Sequence, residues 1–328
     1  MTLYAHSLRR RAVLALPLAA SSLTAAQAQD GPWPQRPIRF IVAFPAGSGT
    51  DVTARIFAEP LAAELGQPVV VDNRGGANGF IASEAVARAR PDGMNFLFTA
   101  NTTHGSNPAL FRRLPYDPVA DFAPVALIGV GVLLVVVNND LPVRSMQELV
   151  AYARANPGRL NFASGSASSR VAGEMFRASA GVDMTNVTYR SNPLGIIDVI
   201  SGVVQVMFVD ATTSLPQVRE GRVRAIGVTS RQRTALLPAL PTVEEQGFPG
   251  YEMLSWNAVY APAGTPEAIV SRLNAAINGL MARPAVADRL TANGLTLRPG
   301  TPADLARFQA AEIEKWTGLV TAAGIELQ

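Results

Sequence analysis

Residues Phe40 to Arg55, FIVAFPAGSGTDVTAR, set a short apolar run, a glycine-bearing turn and a helix start in direct succession. The chemistry that this order permits is anion binding. Backbone N–H groups in the first helical turn have no intrahelical partner, and the aligned peptide dipoles add partial positive charge there. A carboxylate or phosphate is therefore held without any cationic side chain. Phe40, Ile41, Val42 and Phe44 have strand character, Pro45 ends the run, and a helix is expected from about Thr50. Gly47 and Gly49 let a ligand approach the backbone. The alternative is that Ser48, Thr50 or Asp51 only caps a structural helix. Neither Walker nor GxGxxG spacing is present. A second copy of the arrangement favours the anion site: Asn161-Phe162-Ala163, the small-residue loop Ser164 to Ser169, then a helix through Val171, Met175 and Phe176.

Other chemistries find few residues. The chain has no cysteine and only His6 and His104, so zinc sites built on Cys and His are excluded and any Ser-His-Asp set has to use His104. GxSxG is absent. His104 stands in Asn101-Thr102-Thr103-His104-Gly105-Ser106-Asn107-Pro108, where hydrogen bonding in a loop or helix start is its expected role. No metal or cofactor is expected.

Residues 1–28 read as an export signal: Arg9, Arg10 and Arg11, an apolar run from Ala12 to Ala26, and an A-x-A site that places cleavage after Ala28. Arg10-Arg11-Ala12-Val13-Leu14 suits a twin-arginine and a Sec signal alike. The pI of 9.6 owes its excess to that segment, since from Gln29 onward 25 basic residues face 25 acidic ones. Nothing in this balance points to nucleic acid.

A length of 328 residues suits two domains. The first unit reads βαβαβ: the strand above, its helix with Pro60 inside, Val69 to Val71, an alanine-rich helix from about Phe80 to Ala89, and Phe96 to Phe98. That order requires parallel strands with helices on the faces. Val125 to Val137 carries Gly129 and Gly131 and reads as two strands meeting. Ser145 with Glu148 predicts a capping box. A second βαβαβ then runs from Leu160 to Val209, with Asp210 just past its last strand. Further strands are expected at Val223 to Val228 and Trp256 to Tyr260. Helices follow from Thr265-Pro266 and from the capping box Thr301-Pro302-Ala303-Asp304, and this helical tail is expected on the first domain.

The blocks WPQRPIRFIVAFPAGSGTDVTAR, GQPVVVDNRGGANGFIASEAVARARPDG, NPALFRRLPYDPVADFAPVALIG, LPTVEEQGFPGYE and WNAVYAPAGTP, in this order, resemble the extracytoplasmic solute receptors of the tripartite tricarboxylate transporters, the Bug or TctC-type family. The resemblance implies an α/β, two-lobed fold like type II periplasmic binding proteins, with a ligand cleft between the lobes. Residues 29–129 plus 254–328 would form lobe one and 130–253 lobe two. It implies a periplasmic, monomeric, non-enzymatic receptor that captures a small organic carboxylate and delivers it to the membrane subunits of such a transporter. A ligand-presenting receptor for a sensor protein, or a hydrolase using His104, is the alternative. The implied grip is Phe44, Ala46, Gly47, Ser48, Gly49 and Asp51 from one loop against Ser164, Gly165, Ser166, Ala167 and Ser168 from the other. Thr102, Thr103, Tyr189, Ser191, Asn192 and Asp210 would line the remainder. The family commonly has glycine at Ser48 and a Tyr-Lys-Gly run where this chain has Tyr189-Arg190-Ser191-Asn192, which bears on the distal end of the pocket.

Overall fold

The computed structural model describes Thr2 and residues 32–328. The segment read as an export signal lies, apart from Thr2, outside the described residues.

Two parallel βαβαβ units build the sheets. The first consists of β1 (Ile38–Val42), α1 (Gly49–Leu65), β2 (Val69–Asn73), α2 (Phe80–Ala87) and β3 (Asn95–Ala100). β1 lies between β2 and β3, parallel to both. Its apolar run places Phe40, Ile41 and Val42 in the core. α1 passes through Pro60 and ends at Gly66, which is left-handed at φ 73°, the conformation glycine adopts most readily at a helix end. A π-helical segment, Thr102–Ser106, follows β3 and leads into α3 (Asn107–Leu110).

The run expected as two strands is one, β4 (Phe122–Asn138). After α4 (Met146–Ala155) the second unit is β5 (Asn161–Ser164), α5 (Ala167–Ala180), β6 (Thr185–Thr188), α6 (Asn192–Ile200) and β7 (Val206–Asp210). α7 (Ala211–Arg219), β8 (Val223–Val228), β9 (Leu254–Pro262), α8 (Glu267–Met281), α9 (Pro284–Ala292), β10 (Leu295–Leu297) and α10 (Pro302–Ala322) complete the chain. The strand order is β2-β1-β3-β9-β4-β7-β5-β6, with β8 and β10 also on β4. β4 thus belongs to both halves: its first part pairs with β9 and β10, its last part with β7 and β8. Gly129 and Gly131, read from sequence as a break, sit where β10 pairs across from β4. A Cβ on Gly129 would lie 2.5 Å from the Thr296 carbonyl oxygen.

The capping box at Thr301 and Asp304 is present. Around α4 the box is only half formed: Ser145 accepts from the Glu148 N–H at 3.1 Å, but Glu148 takes the Arg144 N–H rather than that of Ser145. α10 does not stay on the first unit. Leu305 packs with Ile41, Leu97 and Trp256, whereas Trp316 and Val320 pack with Leu133, Phe176 and Phe208. A helix of 21 residues is long enough to serve both cores.

Candidate functional site

The turn after β1 is shaped by one carboxylate. Asp51, in the first turn of α1, accepts from the Gly47 N–H at 2.9 Å, from Arg55 Nε at 2.9 Å and from Asn73 Nδ2 at 2.9 Å. Asn73 Nδ2 also holds the Phe44 carbonyl at 3.0 Å. Burial pushes the Asp51 carboxyl up, but Arg55, the Gly47 N–H and Asn73 outweigh it and keep it below the usual carboxylate value. Ser48 caps the helix, its hydroxyl accepting from the Asp51 N–H at 3.3 Å. With Gly47 committed to Asp51, the N–H groups of Gly49 and Thr50 are left without an acceptor among the described residues, at the wall of a cavity.

The opposite wall is built in the same way from three further helix starts. Ser166 caps α5 by accepting from the Ser169 N–H at 3.2 Å. The Gly165 N–H donates to Asn192 Oδ1 at 3.1 Å, Asn192 Nδ2 donates to Asp210 Oδ2 at 2.6 Å, and Asp210 Oδ1 accepts from the Thr213 N–H at 2.9 Å. This relay ties the first turns of α5, α6 and α7 into one surface. Gly165 is required there because an added Cβ would lie 2.1 Å from the Ser191 carbonyl carbon. Asp210 also reaches across the cleft, since a Cβ on Gly49 would lie 2.9 Å from Asp210 Oδ1.

Between these walls lies a cavity of about 50 Å³, bordered by the first residues of α1, α5, α6 and α7 and by Asn101 and Thr102. Among the described residues no Arg, Lys or His borders it, and Asp210 is its one charged side chain. Asn101 Nδ2 and Thr102 Oγ1 are buried and have no hydrogen-bond partner. Buried polar atoms are paired in the great majority of cases. Both residues border the cavity.

Of the residues singled out from sequence, Phe44, Ser48, Gly49, Thr102, Gly165, Ser166, Ser168, Ser191, Asn192 and Asp210 border this cavity. Ser164, Ala167 and Tyr189 border an adjoining recess instead. Ala46, Gly47, Asp51 and Thr103 border neither. Asp51 and Gly47 are occupied with each other, and the Thr103 hydroxyl is paired with Thr99 at 2.7 Å. The Tyr189 hydroxyl donates to Asp198 at 2.7 Å, and burial together with that carboxylate pushes its pKa up to about 12. Thr50, Asn101, Thr212, Ser255, Asn257 and Asn293 border the cavity without having been anticipated. Thr212 had a signal in the sequence: Asp210 is a residue type favoured at helix N-caps, and it caps α7. Pro216 inside the run obscures it.

His104 lies outside both spaces. Its ring stacks on Tyr260 at 4.0 Å, Nδ1 faces the Thr103 hydroxyl at 2.8 Å, and Nε2 has no partner. Full burial depresses its pKa to about 3. The hydroxyl beside it is a core threonine, so the serine–histidine pair weighed from sequence is not assembled.

The profile of the TctC family, tripartite tricarboxylate transporter family receptor, matches residues 53–325. The chain is 34% identical to protein BugT of Bordetella pertussis over 98% of this chain and 99% of BugT. Among solved structures it is similar to R. palustris Rpa4515 with adipate, at a TM-score of 0.88 and 34% identity over 90% of this chain and 100% of the other. Periplasmic binding protein BugD gives a TM-score of 0.86 and 31% identity over 90% and 100%. MatC from Rhodopseudomonas palustris with bound malate gives 0.83 and 33% over 88% and 100%. With the profile covering residues 53–325 and full-length relatives above 30% identity, this chain is a two-lobed solute receptor of the tripartite tricarboxylate transporter receptor family.

Proposed function

We propose that the protein is exported to the periplasm, captures a small organic carboxylate between its lobes without altering it, and passes it as a monomer to the membrane subunits of a tripartite tricarboxylate-type transporter. The lobes are residues 29–129 plus 254–328 and residues 130–253. The observation that carries this reading is the convergence of four helix N-termini and two unpartnered buried side chains on a cavity with no cationic side chain among the described residues. Helix starts supply N–H donors and partial positive charge to an anion, and in a closed cleft they do so without solvent competition. Structures similar to this one carry adipate and malate, both of which present carboxylates. Among the described residues that border the cavity, no nucleophile is paired with a base, as a hydrolytic reaction would require.

A thermal-shift screen over mono-, di- and tricarboxylates, aromatic acids and amino acids tests the reading, because a ligand bound only by the folded state raises its melting temperature. At least one carboxylate is expected to raise it and to be recovered chemically unchanged. A shift produced only by uncharged or cationic compounds, or recovery of a converted product, contradicts the proposal.

A further inference from the structure

Two walls of the cavity rest on one cluster of buried side chains. Asn101 and Thr102 border the cavity at the head of the π-helical segment Thr102–Ser106, and Ser255 and Asn257 border it from β9. Neighbouring side chains of a strand point to opposite faces, so Trp256, between the latter two, points away from the cavity. It is buried there with Ile41, Leu97 and Leu305. Gly105 of the π-helical segment closes on the same place: a Cβ on it would lie 3.3 Å from Trp256 Cζ2 and 3.3 Å from Trp316 Cδ1. Gly105, Trp256, Trp316 and Glu312 themselves do not border the cavity.

The two indoles belong to different cores, Trp256 to that of the first βαβαβ unit and Trp316 to that of the second. One carboxylate joins them. Glu312 Oε2 accepts from Trp256 Nε1 at 2.9 Å and from Trp316 Nε1 at 3.1 Å, while Oε1 accepts from Lys315 Nζ at 3.2 Å. An ionised acceptor holds both rings more firmly than a neutral one. In front of the rings, Asn101 Nδ2 and Thr102 Oγ1 make no hydrogen bond among the described residues. The place of these two groups is therefore set by the backbone of the segment and by what it rests on. π-Helical turns are rare and recur at functional sites, and this one carries cavity residues at one end and the indole contact at Gly105.

We propose that Glu312 is a positioning residue for ligand capture. By locking the two indoles it fixes the segment that presents Asn101 and Thr102 and the stretch of β9 that presents Ser255 and Asn257. This rests on the carboxylate reading of the cavity above and adds to it a group that touches no ligand. Coupling between two sites is reciprocal, so an acid bound against these walls acts back on the indoles.

Calorimetry on the full chain, with acetate, succinate, citrate, benzoate and glutamate as probes, tests this in two variants. Glu312→Gln keeps the size of the side chain and removes its charge, and Gly105→Ala sets a methyl group against both rings. Affinity for whichever of these acids the wild type binds should fall about twofold to thirtyfold in each variant, the span for residues that modulate a site without touching it. Circular dichroism at the assay temperature confirms that each variant is folded. The chain has three tryptophans, so in Trp33→Phe only Trp256 and Trp316 emit, and their emission should shift on saturation with the same acid. Wild-type affinity in either folded variant, or emission that does not respond, overturns the inference and leaves the carboxylate reading standing. Absence of binding by every acid overturns that reading, and hydrogen exchange in the apo protein then decides this one. Faster exchange at residues 102–107 in Glu312→Gln, with β5 and α5 unchanged, supports it; uniform or unchanged exchange overturns it.

Discussion

Asp51 and Asp210 each carry a carboxylate near the start of a helix that borders the cavity, and from sequence both are candidates to face the ligand. The structure separates them. Asp51 fixes the turn that precedes its helix and lies off the cavity, whereas Asp210 caps α7, orients Asn192 and approaches Gly49 across the cleft. Residue type and spacing identified Asp51 as a helix-start carboxylate and placed Asp210 just past a strand; the direction of each side chain depends on partners such as Asn73, 22 residues from Asp51. Gly49 offers a direct test of the closed cleft. Its φ is ordinary, so Gly49→Ala should leave the apo protein as stable or more stable by about 0.5–1 kcal/mol through helix propensity. Closure, however, would bring the new methyl against Asp210. Ligand affinity should fall at least tenfold by calorimetry, with partial recovery in Gly49→Ala/Asp210→Ser. Unchanged affinity in the single variant would mean that closure does not bring these residues together.

His104 makes a pH prediction. An imidazole in the unfolded chain titrates near 6.5, whereas the buried one is depressed to about 3. Below pH 6.5 the unfolded state binds a proton that the folded state refuses, so stability drops as pH falls from about 6.5 toward 3 and is indifferent to this group above that window. The loss at pH 5 is about 2 kcal/mol. Asp51 does not confuse the measurement. Its pKa is lowered, so its contribution is present above the unfolded value of 3.8 and is lost only as pH falls further. Urea unfolding at pH 7 and pH 5 should show the difference, and His104→Gln should remove most of it whatever its effect at pH 7.

At the scale of elements, the two βαβαβ units could be read directly, because alternating apolar runs and amphipathic segments dictate parallel strands with crossover helices. β4 and α10 could not, for one reason: both serve two cores, and local pattern reports burial without reporting against what. Gly129 resembled a break because the close approach of β10 is a long-range event. The same holds for Glu312 of α10, a charged residue that reads as solvated. Its carboxylate is buried and accepts from Trp256 Nε1 at 2.9 Å and Trp316 Nε1 at 3.1 Å, linking β9 to the last helix. Glu312→Ala leaves two buried indole N–H groups unpaired and should cost about 2–4 kcal/mol in denaturant unfolding. Glu312→Gln keeps an acceptor and should lose less. Equal, small losses for both would show that the link contributes little.

At the scale of the whole molecule, two lobes joined by shared strands bring four helix starts to one cavity without a cationic side chain among the described residues and set two arginines beside it. Lobe two's contribution was legible as a serine-rich loop before a helix. The contributions of Asn101 and Asn257 were not, since nothing local marks an asparagine at a strand end or within a strand as facing a cleft. The central claim is that helix termini, without a cationic side chain in the cavity, hold a carboxylate there, and Ser166→Asp tests it most directly. Aspartate is as good a cap as serine, and beside a helix start it should leave apo stability unchanged or raised by about 0.3–1 kcal/mol. In the closed cleft it would face the ligand anion, and like charges about 4 Å apart repel by about 4 kcal/mol at an effective dielectric of 20. Calorimetric affinity and apo melting temperature measured on one preparation, with the carboxylate found by the screen, should therefore give a melting temperature equal to or above wild type and binding weakened some hundreds-fold. A well-folded Ser166→Asp protein that binds the same carboxylate as tightly as wild type would contradict the account.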